Sequence, residues 1–204
     1  MKTPIYILHH SPANERKVEL LNTINLLKLD YPVNWVENFL PEEVSTLGKD
    51  FNISIPEMSL SLKHEFVLLD QVKKNLDKVI ILEDDADLLS VQNLQEFLEN
   101  CLLEFSENNG DILWIGGTHD MNVPNEIKKS DKVAYFSKNF KSRCAHAYIM
   151  SLKAARAAIE HYHYNLPADH LFNEIIDTCE LNSGWTSTYI TQKSLEKKIK
   201  SLLR

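Results

Sequence analysis

The stretch "KVIILEDDADLL", residues 78–89, decides how the rest of the chain is read. Four consecutive apolar residues, Val79 to Leu82, run into four carboxylates within five positions: Glu83, Asp84, Asp85 and Asp87. A short apolar run bounded in this way predicts a strand buried on both faces, as in parallel sheets. Carboxylates so close together repel one another, which costs stability unless a cation or a partner compensates. The alternation E-x-D-x-D sends Glu83, Asp85 and Asp87 to one side of an extended segment, where they could converge on a hard cation, Mn²⁺ or Mg²⁺. The plainer reading is a solvated turn whose aspartates cap the next helix. Spacing alone leaves the two even.

Outward from this strand, strand-like and helical segments alternate. "PIYIL" (4–8) predicts a strand, followed by a helix capped by Ser11 with Pro12 at its first position. "VNWVENF" (33–39) alternates as a second strand, and residues 41–57, with Pro41, Gly48 and Pro56, read as a loop or lid-like excursion. "SLSLKHEFVLLDQVKKNL" (59–76) is helical. Beyond the acidic run come a helix over 91–105, the strand "DILWIGG" (111–117), extended segments at 133–136 and 145–151, and a capped helix over 151–162. A helix behind Pro167 and the alternating strand "WTSTYIT" (185–191) follow. This order predicts an α/β sheet with helices on both faces, whose ligands sit at the carboxyl ends of the strands, where the acidic run lies.

The chain has 204 residues, 44% of them hydrophobic and 25% charged, which suits one domain with a full core. The net charge of −7 argues against a nucleic-acid partner, since little here would neutralise many phosphates. An anionic substrate could bind if a metal carried the positive charge locally. No apolar run is long enough to span a bilayer, and "MKTPIYILHHSP" lacks a signal-peptide pattern. Cys101, Cys144 and Cys179 are sparse and unpaired in sequence, so reduced thiols and a cytoplasmic location are expected. The tail "QKSLEKKIKSLLR" places Leu195, Ile199 and Leu202 at helical spacing beside five basic residues. Residues 193–204 therefore read as a docked basic helix, or as one resting peripherally on an anionic membrane.

With its neighbours added, the pattern resembles glycosyltransferase family 25, the lipopolysaccharide and procollagen galactosyltransferase group. "VIILEDDADLL" is similar to that family's strand and E-D-D signature, and "YILHHSPANER" to its opening strand and loop, ending at Arg16. "LSLKHEFVLLDQV" resembles its Ser-His helix with His64 in register. "AHAYIMSLKAARAAI", "LPADHLF" and "WTSTYITQKS" match its later segments in order. His9, His10 and Ser11 stand where the family has Asn-Leu-Asp, and Lys63 stands where it has Ser. The resemblance implies a single GT-A domain over 1–204, a Rossmann-like sandwich with a mostly parallel central sheet. It also implies a divalent metal (Mn²⁺ or Mg²⁺) and inverting transfer of galactose or glucose from a UDP-sugar to a hydroxyl of a glycan or hydroxylysine-type acceptor.

On that footing Glu83 and Asp85 are the expected metal carboxylates, with Asp87 in reserve and His170 as a metal or phosphate ligand. Asp84, Arg16, His64 and Gly116 are expected near the donor. Asp169 is the expected base for the acceptor hydroxyl. Each has a structural alternative: Asp169 suits a helix N-terminus, His64 and His146 suit a core, Arg16 a surface, and Gly116-Gly117 a turn. Trp114, Trp185 and "HYHY" (161–164) read as structural. Two other functions fit the same residues: a glycosyltransferase-like nucleotide- or metal-binding domain without transfer activity, and a Mg-dependent Asp-nucleophile phosphohydrolase. The second expects Thr or Val where Leu89 stands.

Overall fold

The computed structural model describes residues 2–46, 52–118, 121–142 and 144–193. In chain order its elements are β1 (Ile5–Leu8), α1 (Asn14–Leu27), β2 (Val33–Val36), α2 (Pro41–Ser45), α3 (Ile55–Lys74), β3 (Lys78–Glu83) and β4 (Ala86–Asp87). Then come α4 (Leu94–Glu107), β5 (Ile112–Gly116), β6 (Ala134–Phe136), β7 (Ala147–Ser151), α5 (Leu152–His161), α6 (Ala168–Thr178) and β8 (Ser183–Gln192).

The apolar run of 79–82 forms the buried strand expected of it, and the sheet is built around it. The strands lie in the order β2-β1-β3-β7-β5-β8-β4, with β6 also on β8. β1 is parallel to β2 and β3, and β5 to β8, whereas β7 opposes both β3 and β5. Among the six central strands, then, only β7 runs against the rest. Side chains alternate between two cores, as period-2 strands require. Tyr6, Leu8, Val79, Ile81, Trp114 and Tyr148 face the layer that holds α3, α5 and α6. Ile7, Ile80, Leu82, Leu113 and Ile149 face the layer of α1 and α4. The expected α/β fold, with helices on both faces of a mostly parallel sheet, is the one observed.

Several expected boundaries move for physical reasons. The first helix begins at Asn14, not behind Ser11: His10 is held by its backbone N–H to Asp84, and its carbonyl closes a turn to the Ala13 N–H at 2.7 Å. The second strand stops at Val36, and Phe39 takes a positive φ of 60° where the chain turns into α2. Much of the expected loop at 41–57 is helical. Pro41 and Pro56 occupy first-turn positions, where a missing N–H costs nothing, and Ser54 caps α3 by a reciprocal pair with Glu57. Among the bonds that fasten α3 to the sheet, Gln71 Nε2 donates to the Met150 carbonyl at 3.1 Å and Tyr6 Oη to Asp70 at 2.5 Å. Of the expected C-terminal helix, only Lys193 lies within the described residues. Among those residues no helix is long and apolar enough to cross a membrane.

Candidate active site

β1 and β3 run side by side in parallel, with Leu8 opposite Glu83, so the loops leaving them face each other at the carboxyl edge of the sheet. The Asp84 N–H donates to the Leu8 carbonyl at 3.1 Å, which sets the Asp84 carboxylate into the loop after β1. There it accepts from His9 Nδ1 at 2.8 Å and the His10 N–H at 3.0 Å on one oxygen, and from Arg16 Nη1 at 2.9 Å on the other. Burial works against its charge, but these three donors outweigh burial and hold the Asp84 carboxyl below the ordinary carboxylate range. His9 is fully buried and meets Trp35 edge-on at 5.6 Å. Asp84 is thus a strut joining β3 to the β1 loop and to the first turn of α1.

Glu83 follows Val79 and Ile81 in strand period, so its side chain lies on the α3–α6 face. Its N–H donates to the His146 carbonyl at 2.8 Å, and His64 Nε2 lies 3.9 Å from its Oε1. His64 is fully buried and shares a 2.8 Å hydrogen bond with Tyr148 Oη. Burial, reinforced by Lys63, pushes the His64 pKa down to about 3, so the imidazole is neutral. Burial raises the Glu83 carboxyl well above its ordinary value, and the nearby charges of Asp85, Asp84 and Asp169 add to this. Asp169, in the first turn of α6, is therefore within electrostatic reach of Glu83; its own Oδ1 accepts from the His170 N–H at 2.9 Å.

Between these walls is a cleft at the carboxyl edge of the sheet. His10, Arg16, Glu83, Asp84 and Asp85 line one side of it, with Pro41, Pro56, Ser59 and Lys63 on the side of α2 and α3. Lys63 is 3% exposed, and its ammonium donates to Ser59 Oγ at 3.4 Å. Burial lowers the Lys63 pKa, opposed by Asp84 and Glu43. The lining is mixed in charge, with carboxylates from the β3 end and basic groups from α1 and α3. The Asp85 carbonyl accepts from the Lys193 N–H at 2.9 Å, so the end of β8 ties down the acidic loop from its far side.

The expected site residues divide. Arg16, Glu83, Asp84 and Asp85 come together on the cleft. Asp87 does not join them: the chain leaves its extended course after Glu83, and Ala86–Asp87 pairs with β8. The Asp87 Oδ1 instead accepts from the Leu89 N–H at 3.2 Å. His170 is exposed on α6 and is not among the cleft-lining residues. His64 is wholly buried beside Glu83 and is not among the residues that line the cleft. Gly116 is a packing position: a Cβ there would come within 2.5 Å of His146 Nε2, which donates to the Ile190 carbonyl at 2.8 Å. Sequence reasoning missed His9, His10 and Lys63 as parts of the site; their one visible signal is that all three interrupt otherwise recognisable segments. Among the described residues no three His, Cys, Asp or Glu side chains are grouped to hold a metal ion. The donor set on the cleft is the pair Glu83 and Asp85, which suits a cation that takes one or two carboxylates and completes its shell with substrate phosphates and water.

No protein-family model matches the chain, and no curated protein sequence matches it. Among solved structures, TarS 1–349 from S. aureus aligns with a TM-score of 0.52 and 13% identity, covering 97% of this chain and 62% of that one. The chain thus spans less than two thirds of the length of the TarS fragment. CMP:2-keto-3-deoxy-manno-octonic acid synthetase complexed with CTP aligns with a TM-score of 0.46 and 10% identity over 100% of this chain and 98% of that one. At 13% identity the likeness to TarS is one of fold, and that fold is a mixed α/β, GT-A-like architecture with a mostly parallel central sheet.

Proposed function

We propose that the protein is a glycosyltransferase of the family 25 kind, moving galactose or glucose from a UDP-sugar to a hydroxyl of a glycan or hydroxylysine-type acceptor. The observation that carries this reading is the cleft at the carboxyl edge of β1 and β3, whose lining brings Glu83 and Asp85 together with Arg16, His10 and Lys63. A nucleotide sugar needs both kinds of group: cations for its diphosphate, and carboxylates to fix a metal or sugar hydroxyls. Asp84 holds Arg16 and the His9–His10 loop in place through three hydrogen bonds, so the basic wall is preorganised before any ligand arrives. Glu83 and Asp85 would hold a divalent cation, which when bound supplies Lewis-acid stabilisation of the leaving diphosphate.

Asp169 is the base in this reading. It takes the proton of the acceptor hydroxyl as that oxygen attacks the anomeric carbon, and the bond from that carbon to the UDP oxygen breaks with its electron pair leaving on UDP. Attack from the face opposite the leaving group inverts the anomeric centre. The test is calorimetric titration of UDP, UDP-galactose and UDP-glucose, with and without Mn²⁺, on wild type and Asp85→Ala, followed by a donor-hydrolysis assay. Donor binding weakened by Asp85→Ala, with turnover of one sugar nucleotide, is the expected result. Absence of binding in every combination would overturn the reading, and binding without turnover would leave only a nucleotide-binding domain.

A further inference from the structure

Lys63 is the most anomalous charged residue in the protein. A lysine on a helix ordinarily extends its ammonium into water along an aliphatic stem. Lys63 instead lies on the core-facing side of α3, next to the fully buried His64 and 3% exposed itself. Among the described residues it forms no ion pair, and its one hydrogen bond is the long 3.4 Å contact to Ser59 Oγ. An ammonium has three N–H donors, so at least two of them have no protein acceptor. The residue lines the same cleft as Arg16, Glu83 and Asp85. Burying a charge with so little compensation is unfavourable, and an anionic ligand in the cleft would supply what the protein withholds. The cation nearest in kind, Arg16, already gives Nη1 to Asp84 and keeps its other donors.

Resting on the proposed nucleotide-sugar reading, we infer that Lys63 is a diphosphate-binding residue: its ammonium, together with Arg16, holds the diphosphate of the nucleotide without needing a divalent cation to be bound first. Lysine at this place puts an ammonium on the cleft that the two carboxylates also line. A diphosphate bound there would meet this ammonium and the Arg16 guanidinium whether or not a metal is held by Glu83 and Asp85.

The test is UDP titration by calorimetry in EDTA and, separately, in Mn²⁺, on wild type, Lys63→Met and Lys63→Arg. Methionine keeps the apolar stem and removes the buried charge, so folding is not at stake; a thermal melt checks this. The expected result is measurable UDP binding by wild type in EDTA, weakened by about tenfold or more in Lys63→Met and largely kept in Lys63→Arg, as for loss of a charge-assisted hydrogen bond. Wild type that binds UDP in Mn²⁺ but not in EDTA overturns the inference and leaves the nucleotide-sugar reading standing. So does Lys63→Met binding as tightly as wild type in EDTA. No UDP binding by wild type in either buffer removes the reading and the inference together. Should Lys63→Met fail to fold, Lys63→Gln, which also removes the charge, takes its place in the EDTA titration with the same expected loss.

Discussion

Asp84→Ala is expected to be among the most destabilising single changes available at the carboxyl edge of the sheet. The side chain is only 7% exposed and holds an ion pair to Arg16 at 2.9 Å, besides hydrogen bonds from His9 Nδ1 at 2.8 Å and the His10 N–H. Removing it strands a fully buried imidazole and a partly buried guanidinium at once. Loss of one partner from a buried, hydrogen-bonded charge pair costs about 3–5 kcal/mol. Asp84→Asn keeps one acceptor oxygen but points an amide at a donor, and should cost about 2 kcal/mol, near the penalty for one unsatisfied buried group. For a chain of this size the alanine change should lower Tm by about 10 °C. Equilibrium unfolding in urea, followed by circular dichroism, gives the free energies. A cycle with Arg16→Ala should return a coupling of about 1 kcal/mol or more, as for residues in one network. A loss below about 1 kcal/mol for Asp84→Ala, with an unchanged denaturant slope, would refute the argument: the β1 loop and α1 would then be held by something other than this carboxylate.

Gly116→Ala should cost about 1–3 kcal/mol by overpacking, because its Cβ would lie 2.5 Å from His146 Nε2 and 2.9 Å from Ala147 Cβ; denaturant unfolding measures this. Asp169→Asn should lower turnover of the donor in the presence of acceptor by about a hundredfold or more while leaving UDP affinity unchanged, and a loss of affinity instead would place Asp169 outside the chemistry. Asp70 tests acid stability. Burial pushes its carboxyl up, but hydrogen bonds from Lys74 and Tyr6 outweigh this and leave it below the ordinary value of 3.8. The unfolded chain therefore binds the proton more readily, so the Asp70 contribution is present above the unfolded value and is lost as pH falls through the folded one. Asp70→Asn should flatten the stability profile in that acid window and leave its slope at neutral pH unchanged.

The fold was legible where local pattern and tertiary demand agree. Val79 to Leu82 form a central strand because four apolar side chains can be satisfied only by cover on both faces, and α3 with α4 provide it. Reading failed where the two compete. Ser11-Pro12 is a sound helix start on local grounds, yet the His10 N–H is drawn to Asp84, 74 residues away in sequence, and the helix waits until Asn14. Pro41 and Pro56 suggested a loop because proline breaks helix interiors, while both stand in first turns, where proline is at home. In each case the residue type was read correctly and its position within the element was not.

The acidic run shows the same limit at the site. Period-2 reasoning sends Glu83, Asp85 and Asp87 to one side, but it holds only while the strand lasts, and β3 ends at Glu83. Beyond it, the four carboxylates take four different surroundings. Asp84 is paired by its own chain with Arg16 and hydrogen-bonded by His9, and Asp87 closes a turn on the Leu89 N–H. Glu83 is pressed against buried His64, where burial and its neighbours favour the protonated form, and Asp85 lines the cleft with its backbone tied to Lys193. The repulsion posed by E-D-D-x-D is thus largely relieved within the protein, one carboxylate at a time, before any metal is considered. A cation would answer to Glu83 and Asp85 alone. The opposite problem, a buried positive charge without a counter-ion, was invisible in the sequence, because a lysine between Leu62 and His64 gives no sign of which way it will point. Only the packing of α3 turns Lys63 inward, and it adds a buried basic group to a lining that already holds Arg16, Glu83, Asp84 and Asp85.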